Sequence, residues 1–417
     1  MAKFLDLSGL QRFWGKVDAA KADVTPFNHL FDGKDLSQVF ASAEALHTAL
    51  AGGDFSKIHI GDYWPLSLSG TFRDYGAFTV PSGTAYFTDA ALTTSGGTTE
   101  AAIEGQYESA TAVKFKVSGT DVYCAIGDCL NYFVRTLSNA IVKLEVAAIN
   151  NYWRYGDSGD LTGNNKPHLT FVSRDCLPFT MRMRKANAVW ENVVTTQTFT
   201  GDGSTKEFSL TNSAHRIGDV YVGGSKKTWN TDYTVSANKV TFKTAPANGA
   251  EIKVDALDSD NPWCGSALFK TLNDPDYGVL HLIAQTTIGA YIYAGPNSKG
   301  MRAMMEIKNP GMTTASSWAW GDRGKLFLPF ESEIWGHGVW GGNATYNLGC
   351  NLQIPIFAGT RRHISKGIGN GASRYNWWAA SSPSGSATSF CYVITSGLPY
   401  SYNAVYTNGA PVCFVMI

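Results

Sequence analysis

Charge is scarce in this sequence. Asp, Glu, Lys and Arg make up 16% of the 417 residues, against roughly 25% in an average soluble domain. The 34 basic and 34 acidic residues leave a formal net charge of zero. A nucleic-acid-binding protein uses a basic face to displace counterions from the phosphates, so this balance argues against that class of protein.

Long apolar runs are also missing. No stretch reaches the ~18–20 apolar residues of a membrane-spanning helix. Residues 1–21 alternate charged and apolar side chains, whereas a secretory signal peptide needs a continuous apolar segment. We therefore expect neither a membrane span nor a signal peptide, and we expect synthesis in the cytoplasm.

The seven cysteines show no disulfide or metal-binding pattern. They are odd in number and mostly embedded in apolar or aromatic strings, as Cys391 is, which is typical of buried free thiols. Four residues separate Cys124 from Cys129, but no second Cys/His pair with zinc-ligand spacing accompanies them. The sequence predicts no metal ion and no cofactor.

No catalytic constellation stands out either. The eight histidines are spread along the chain, and none lies in a context that would make it the base of a nucleophilic serine or cysteine. No pair of carboxylates in the sequence suggests general acid–base catalysis. The sequence therefore predicts a protein that is not an enzyme.

Apolar residues at helical spacing predict several helices. Two lie near the N-terminus, over 5–22 and 36–50, where Gly52 and Gly53 end the second. We expect these two either to pack on the next domain or to mediate oligomerisation or docking to a larger assembly. Further helices are predicted over 136–153, 266–284 and 357–366.

The rest of the chain is typical of β structure. Residues 76–135 are rich in Thr, Ser, Gly, Ala and Val with period-two stretches, which indicates a small β insertion. Residues 195–257 contain short strands separated by turns, which favours a β-sandwich. This module interrupts a larger pattern, so it looks inserted. The chain is therefore expected to have an α+β fold.

The C-terminal segment has the composition of a recognition surface. Tyr, Ser, Gly and Asn occupy half of the positions from Ser373 to Asn408, and no charged residue follows Arg374. Tyr and Trp supply contact area at low entropic cost, and the small polar residues supply adaptable hydrogen bonds, as in antibody paratopes. The alternative is that these aromatic residues belong to a β-rich core.

Several strings resemble a domain family of unknown function from gut bacteria and their phages. They are IGDYWPL at 60–66, SNAIVKLEVAAINNYW at 138–153, SRDCLPF at 173–179, GKLFLP at 324–329, GNGASRYNWWAAS at 369–381 and GAPVCFVMI at 409–417. That family is related to the C-type-lectin fold, as in formylglycine-generating-enzyme-like domains and the variable proteins of diversity-generating retroelements. The resemblance covers roughly 56–194 and 258–417.

Two further segments resemble phage tail proteins. FTGDGST at 199–205 and DYTV at 232–235 are similar to an Ig-like sandwich of tail fibres, and FLDLSGLQRFWGKV at 4–17 is similar to the start of gut-phage tail proteins. The implied domains are an N-terminal helical attachment segment (1–55), a C-type-lectin-like domain in two parts (56–194 and 258–417) and the inserted sandwich (195–257).

The resemblance implies a receptor-binding protein of the phage tail, located in the virion. It would form a homotrimer, contact other tail proteins through its N-terminus, and bind a bacterial surface protein or glycan. The resemblance also implies diversification of the ligand-contacting positions by a retroelement. The carried-over ligand contacts are Arg374, Tyr375, Asn376, Ser382, Ser384, Ser386, Tyr392, Thr395, Tyr400, Tyr402, Asn403 and Tyr406.

The family resemblance also indicates which residues form the scaffold, and two alternative functions remain compatible with it. Trp378, Ala380 and Cys391 are expected to be scaffold residues. The chain has no Glu-Pro-Asn or Gln-Pro-Asp triplet, which weighs against a calcium-bridged sugar site, and no paired copper-binding cysteines. The alternatives are a glycan-acting or formylglycine-generating-like enzyme, and a bacterial surface adhesin unrelated to phage.

Overall fold

The computed structural model describes most of the chain. The described residues are 33–151, 166–186, 193–210, 216–236, 239–257, 262–292, 302–307, 317–340, 353–359, 361–369, 373–383, 386 and 388–417. Strands hold 42% and helices 15% of the structure, so the fold is α+β or mainly β. None of the helices in these ranges is long and apolar enough to cross a membrane.

The helix predicted over 36–50 is confirmed in part, whereas the helix predicted over 5–22 lies outside the described residues. A 3₁₀ turn spans Leu36–Gln38, and helix α1 spans Ala43–Ala51. The hydroxyl of Ser42 accepts the backbone N–H of Ala45 and so caps the first turn of α1. Leu46 and Leu50 of this helix are buried in the main core.

A four-stranded antiparallel sheet forms the centre of the molecule. Its strands, in spatial order, are β1 (Tyr63–Asp74), β8 (Phe133–Ile149), β9 (Leu169–Ser173) and β26 (Cys413–Met416). The last strand of the chain thus pairs with β9, which ties the C-terminus to the middle of the sequence. This pairing buries Phe171 against Phe414.

The helix predicted over 136–153 is wrong, because most of this segment is strand β8. Val142 and Leu144 are buried whereas Ile141 and Lys143 are exposed, which is the period of a strand. β8 pairs with β1 on one side and with β9 on the other. β-branched residues favour such a pleated surface, and this preference outweighed the helical spacing of the apolar residues.

Short helices cover the central sheet. The helices predicted over 266–284 and 357–366 are confirmed, each as a pair: α2 (Ala267–Asn273), α3 (Val279–Ala284), α5 (Pro355–Gly359) and α6 (Arg361–Ile364). Helix α4 (Glu331–Trp335) precedes the second pair, and a 3₁₀ turn spans Ile288–Tyr291. Leu268, Leu272 and Ile283 bury the first pair in the main core.

Six short strands lie within the predicted β insertion at 76–135. In spatial order they are β2 (Phe78–Val80), β5 (Ile103–Tyr107), β6 (Ala112–Val117), β7 (Thr120–Ala125), β3 (Ala85–Phe87) and β4 (Ser95–Thr98). They enclose a small apolar cluster of their own around Phe78, Phe115 and Cys124.

Two further sheets lie within 193–257. One contains β11 (Val193–Thr200), β17 (Glu251–Leu257), β13 (Arg216–Val222) and β14 (Ser225–Lys226), and the other contains β12 (Glu207–Ser209), β16 (Lys239–Phe242) and β15 (Tyr233–Ser236). Side chains from both sheets, including Val254 and Phe242, form a separate apolar cluster. The first and last strands, β11 and β17, pair with each other.

A five-stranded sheet carries four of the twelve predicted ligand contacts, namely Tyr392, Tyr400, Tyr402 and Asn403. Its strands, in spatial order, are β10 (Thr180–Arg182), β25 (Thr407–Gly409), β22 (Trp377–Trp378), β23 (Ser389–Val393) and β24 (Pro399–Asn403). Two two-stranded ladders complete the described strands: β18 (Arg302–Ile307) with β19 (Ser317–Asp322), and β20 (Lys366–Gly367) with β21 (Arg374–Tyr375).

Candidate functional site

A row of aromatic side chains crosses three strands of the five-stranded sheet. Trp378 on β22 lies opposite Tyr392 on β23, which lies opposite Tyr400 on β24. Directly opposed residues share a face of the sheet, so their rings meet, at centroid distances of 6.0 and 5.8 Å. Their exposed fractions rise from 0% to 7% to 51%. The row therefore leads from the core to solvent.

Tyr402 and Tyr406 extend the exposed end of this row. Tyr402 lies two residues after Tyr400 and therefore on the same face of β24. Its ring lies 5.8 Å from that of Tyr392 and stacks on that of Tyr406 at 3.9 Å, with 23° between the planes. Tyr400, Tyr402 and Tyr406 are all exposed. The sequence-based choice of these three residues thus coincides with one continuous aromatic area.

The structure adds Trp340, which sequence reasoning missed. The exposed indole of Trp340 meets the ring of Tyr400 edge to face at a centroid distance of 5.9 Å. The buried carboxylate of Glu331 accepts the backbone N–H groups of Val339 and Trp340 at 3.2 and 3.1 Å. A lone tryptophan among glycines, in the string GHGVWGG, was the available signal. Trp340, Tyr400, Tyr402 and Tyr406 are called the aromatic surface below.

The buried members of the row hold the exposed rings in place. Trp378 donates its indole N–H to the carbonyl oxygen of Met181 at 2.8 Å, which fixes the innermost ring. Burial raises the pKa of Tyr392, and the nearby Tyr400 and Tyr402 raise it further. Partial loss of hydration and the neighbouring Tyr406 likewise raise the pKa of Tyr402, although its ring is exposed. These phenols are therefore neutral hydrogen-bonding groups at physiological pH.

The remaining predicted contacts are only partly brought together. Asn376 and Thr395 meet, because the Thr395 N–H donates to the Asn376 side-chain oxygen at 3.1 Å. Ser389 donates its hydroxyl to Asn403 at 3.2 Å. Ser386 accepts the backbone N–H groups of Thr388 and Ser389, which is a turn-forming role. Arg374 and Tyr375 are exposed on β21, in a different ladder from the aromatic surface.

Two predicted contacts lie in the interior. Ser382 is buried, because the preceding Ser381 accepts the Cys391 N–H and holds this segment against β23. Tyr392 is buried beneath the exposed tyrosines and acts as their support. Ser384 lies outside the described residues. The expected scaffold residues Trp378, Ala380 and Cys391 are all buried.

A cleft on another part of the molecule gathers charged groups. It encloses about 930 Å³ between the β insertion and α2, and Tyr75, Lys185, Lys270, Asp274 and Asp276 are among its lining residues. Although burial raises the pKa of Asp274, hydrogen bonds from Tyr75 and from backbone N–H groups outweigh this, and the pKa is lowered. Lys270 lies over the Tyr75 ring at 4.2 Å. These groups largely satisfy one another.

Within the described ranges, no three His, Cys, Asp or Glu side chains are grouped so as to hold a metal ion. No family model, curated protein or solved structure matches the chain. The aromatic surface and the cleft are therefore the two candidate sites.

Proposed function

We propose that this chain is a receptor-binding protein of a phage tail, which recognises a bacterial surface molecule through the aromatic surface. The observation that carries the proposal is the exposure of Tyr400, Tyr402, Tyr406 and Trp340 as one contiguous patch. Exposed aromatic clusters of this kind are typical of interaction sites, because monomeric proteins usually bury such area. The C-terminal domain would be C-type-lectin-like.

The patch is suited to neutral ligands. No charged residue follows Arg374 in the sequence, so the contribution of the last strands to binding would come from ring area and from phenol and amide hydrogen bonds. The rings rest on Tyr392 and Trp378, so little side-chain freedom is left to lose on binding. A glycan ring or an apolar protein loop fits these properties.

Assembly would strengthen weak contacts. In the proposed homotrimer, segment 1–55 would provide contacts among the copies and to other tail proteins. Three identical aromatic surfaces on one axis gain avidity when the receptor is repeated on the cell surface. The virion would be the location of the mature protein, and retroelement diversification would act on the positions around the patch.

The test is binding of the purified, fluorescently labelled chain to cells of a panel of gut bacterial strains. We expect binding to some strains and its loss when Tyr400, Tyr402 and Tyr406 are all replaced by Ala. Tyr277→Ala is the matched control, because Tyr277 is similarly exposed, at 48%, and lies outside the aromatic surface. Undiminished binding by a folded triple variant would overturn the site assignment.

The cleft favours a second candidate, a glycan-acting enzyme. Its lining brings together carboxylates, lysines and tyrosines, among them Asp274, Asp276 and Lys270. Product release from isolated host glycans, abolished by Asp276→Asn and retained in the tyrosine variant, would support this activity. No release under conditions in which the chain binds the cells would exclude it.

A further inference from the structure

Two cysteine sulfurs lie in contact in the β insertion. The Sγ atoms of Cys124 and Cys129 are 3.2 Å apart. A disulfide bond measures about 2.05 Å, so bond formation needs an approach of only ~1 Å. Cys124 is buried on β7, and Cys129 is half-buried just after a 3₁₀ turn at Ile126–Asp128. A partly accessible sulfur therefore faces a buried one.

The backbone holds both residues in this arrangement. Cys124 is fixed by its pairing with Val113 on β6. The N–H of Cys129 donates to the Ile126 carbonyl oxygen, and the N–H of Ile126 donates to that of Thr111 at 2.9 Å. A Cβ atom added at Gly127 in the turn would meet no neighbouring atom, so the turn is not packed against the rest of the protein at this point.

We propose that Cys124 and Cys129 are a dithiol that oxidises reversibly to a disulfide. The oxidant is a small-molecule disulfide such as oxidised glutathione. The Cys129 thiolate attacks one of its sulfurs, forms a mixed disulfide and expels one glutathione thiolate. The Cys124 thiolate then attacks the Cys129 sulfur and expels the second. Two electrons pass to the reagent, and the two protein thiol protons end on the two glutathione molecules.

The electrostatics of the pair support these roles. A hydrogen bond from Cys124 lowers the pKa of the Cys129 thiol and outweighs the effect of burial. The same hydrogen bond, together with burial, raises the pKa of Cys124. The more exposed Cys129 is thus the better attacking thiolate. Once Cys129 has become the mixed disulfide, Cys124 no longer donates a hydrogen bond to its thiolate, which removes the largest cause of the raised pKa of Cys124.

A structural metal is a poorer explanation of the contact. Zinc sites need three or four protein ligands, and no third His, Cys, Asp or Glu completes such a group in the described part of the chain. A pair of sulfurs alone satisfies the requirements of a disulfide. The bond would fasten the end of β7 to the turn that carries Ile126, which lines the cleft described above. This pairing does not depend on what the aromatic surface binds.

The experiment equilibrates the folded full chain with oxidised or with reduced glutathione, then alkylates it after unfolding. The tryptic peptide 117–135 contains both cysteines and no other. After oxidation we expect this peptide to be unalkylated and lighter by two hydrogen atoms. After reduction it should carry two alkyl groups. A doubly alkylated peptide after the oxidising treatment would overturn the proposal.

Two variants sharpen the result. Cys124→Ser removes the resolving thiol, so we expect Cys129 to accumulate as a mixed disulfide with glutathione. Cys264→Ser is the control, because Cys264 is similarly half-buried and lies outside the pair; it should leave oxidation of 117–135 unchanged. A fall in disulfide yield in the Cys264 variant would show that the pairing partner was misassigned.

Discussion

The indole of Trp340 meets the phenol ring of Tyr400 edge to face, with the centroids 5.9 Å apart. The two residues come from different parts of the fold, one from the segment after α4 and the other from β24. The contact joins a Gly-rich loop to the strand edge and enlarges the exposed aromatic area. The buried carboxylate of Glu331 accepts hydrogen bonds from the backbone of this loop.

We predict that Trp340 and Tyr400 are energetically coupled in cell binding. Trp340→Ala and Tyr400→Ala should each lower the affinity for a bound strain about 10-fold, which is ~1.4 kcal/mol. The double variant should lose less than the sum, with a coupling of ~0.5–1.5 kcal/mol, because the rings support each other. Strictly additive losses would show that the rings contact the receptor independently.

Glu331 should act through the position of Trp340. Glu331→Gln keeps the shape of the side chain but weakens the charge-assisted hydrogen bonds to Val339 and Trp340. We expect weaker cell binding and faster proteolytic cleavage after Trp340. Adding Trp340→Ala to this variant should cause little further loss of affinity. If the two losses add, Glu331 has no positioning role.

Binding should depend little on salt. The last strands carry no charge after Arg374, so no ion pair is available there to be screened. Between ~0.05 and ~0.5 M sodium chloride, over which the Debye length falls to about 4 Å, the affinity for cells should change by less than about two-fold. A steep decline would place a charged group, with Arg374 the first to test by Ala substitution, in the contact.

We predict that the ionised carboxylate of Glu145 stabilises the fold and that this stabilisation is lost at low pH. Burial raises its pKa, but His363, Lys366 and Arg174 outweigh this, so the pKa is lowered. The folded chain therefore binds this proton less readily than the unfolded chain, and the stabilisation is present above the unfolded pKa of ~4.3 and is lost as pH falls below it. Glu145→Gln should cost about 3 kcal/mol near pH 7. The free energy of unfolding is measured with urea. The difference in this free energy between the Glu145→Gln variant and the parent should shrink at pH 4 and below.

The aromatic surface was predictable in outline because amino-acid composition indicates which kinds of contact a surface can make. The lack of charge and the Tyr, Ser, Gly and Asn composition indicated a recognition surface, and Tyr400, Tyr402 and Tyr406 are exposed. However, composition does not indicate whether a given side chain is buried or exposed. Tyr392 and Ser382 have the same residue types as their exposed neighbours, and only the packing of β22 and β23 shows that they are buried.

Strand β8 shows why periodicity misled. Ile141, Leu144 and Ile149 have helical spacing, yet Val142, Leu144 and Val146 also alternate at period two. Ile141 is exposed and only 144–148 are buried on both faces of the sheet. The pairing with strands that lie far away in sequence decides between the two patterns. Trp340 was missed for a similar reason, since its relevance depends on a contact with a distant strand.

Arg135 should hold the β insertion on the central sheet. Its guanidinium on β8 binds Asp74 of β1 at 2.8 Å and Glu104 of β5 at 2.7 Å. Burial raises the pKa of Asp74 even though Arg135 opposes this. Arg135→Ala would leave that buried carboxylate without its cation, so we expect a loss of about 3–5 kcal/mol near pH 7.

The pH dependence separates this effect from lost packing. Without Arg135 the pKa of Asp74 should rise further. As pH falls, protonation of Asp74 therefore removes the unpaired buried charge that destabilises the variant. The difference in urea midpoint between variant and parent should therefore shrink from pH 7 to pH 5. Arg135→Lys keeps the charge but loses the forked geometry. Its urea midpoint should lie between those of the Ala variant and the parent. A difference that stays constant with pH would mean that Arg135 acts through its contacts with Phe133 and Phe179 and not through Asp74.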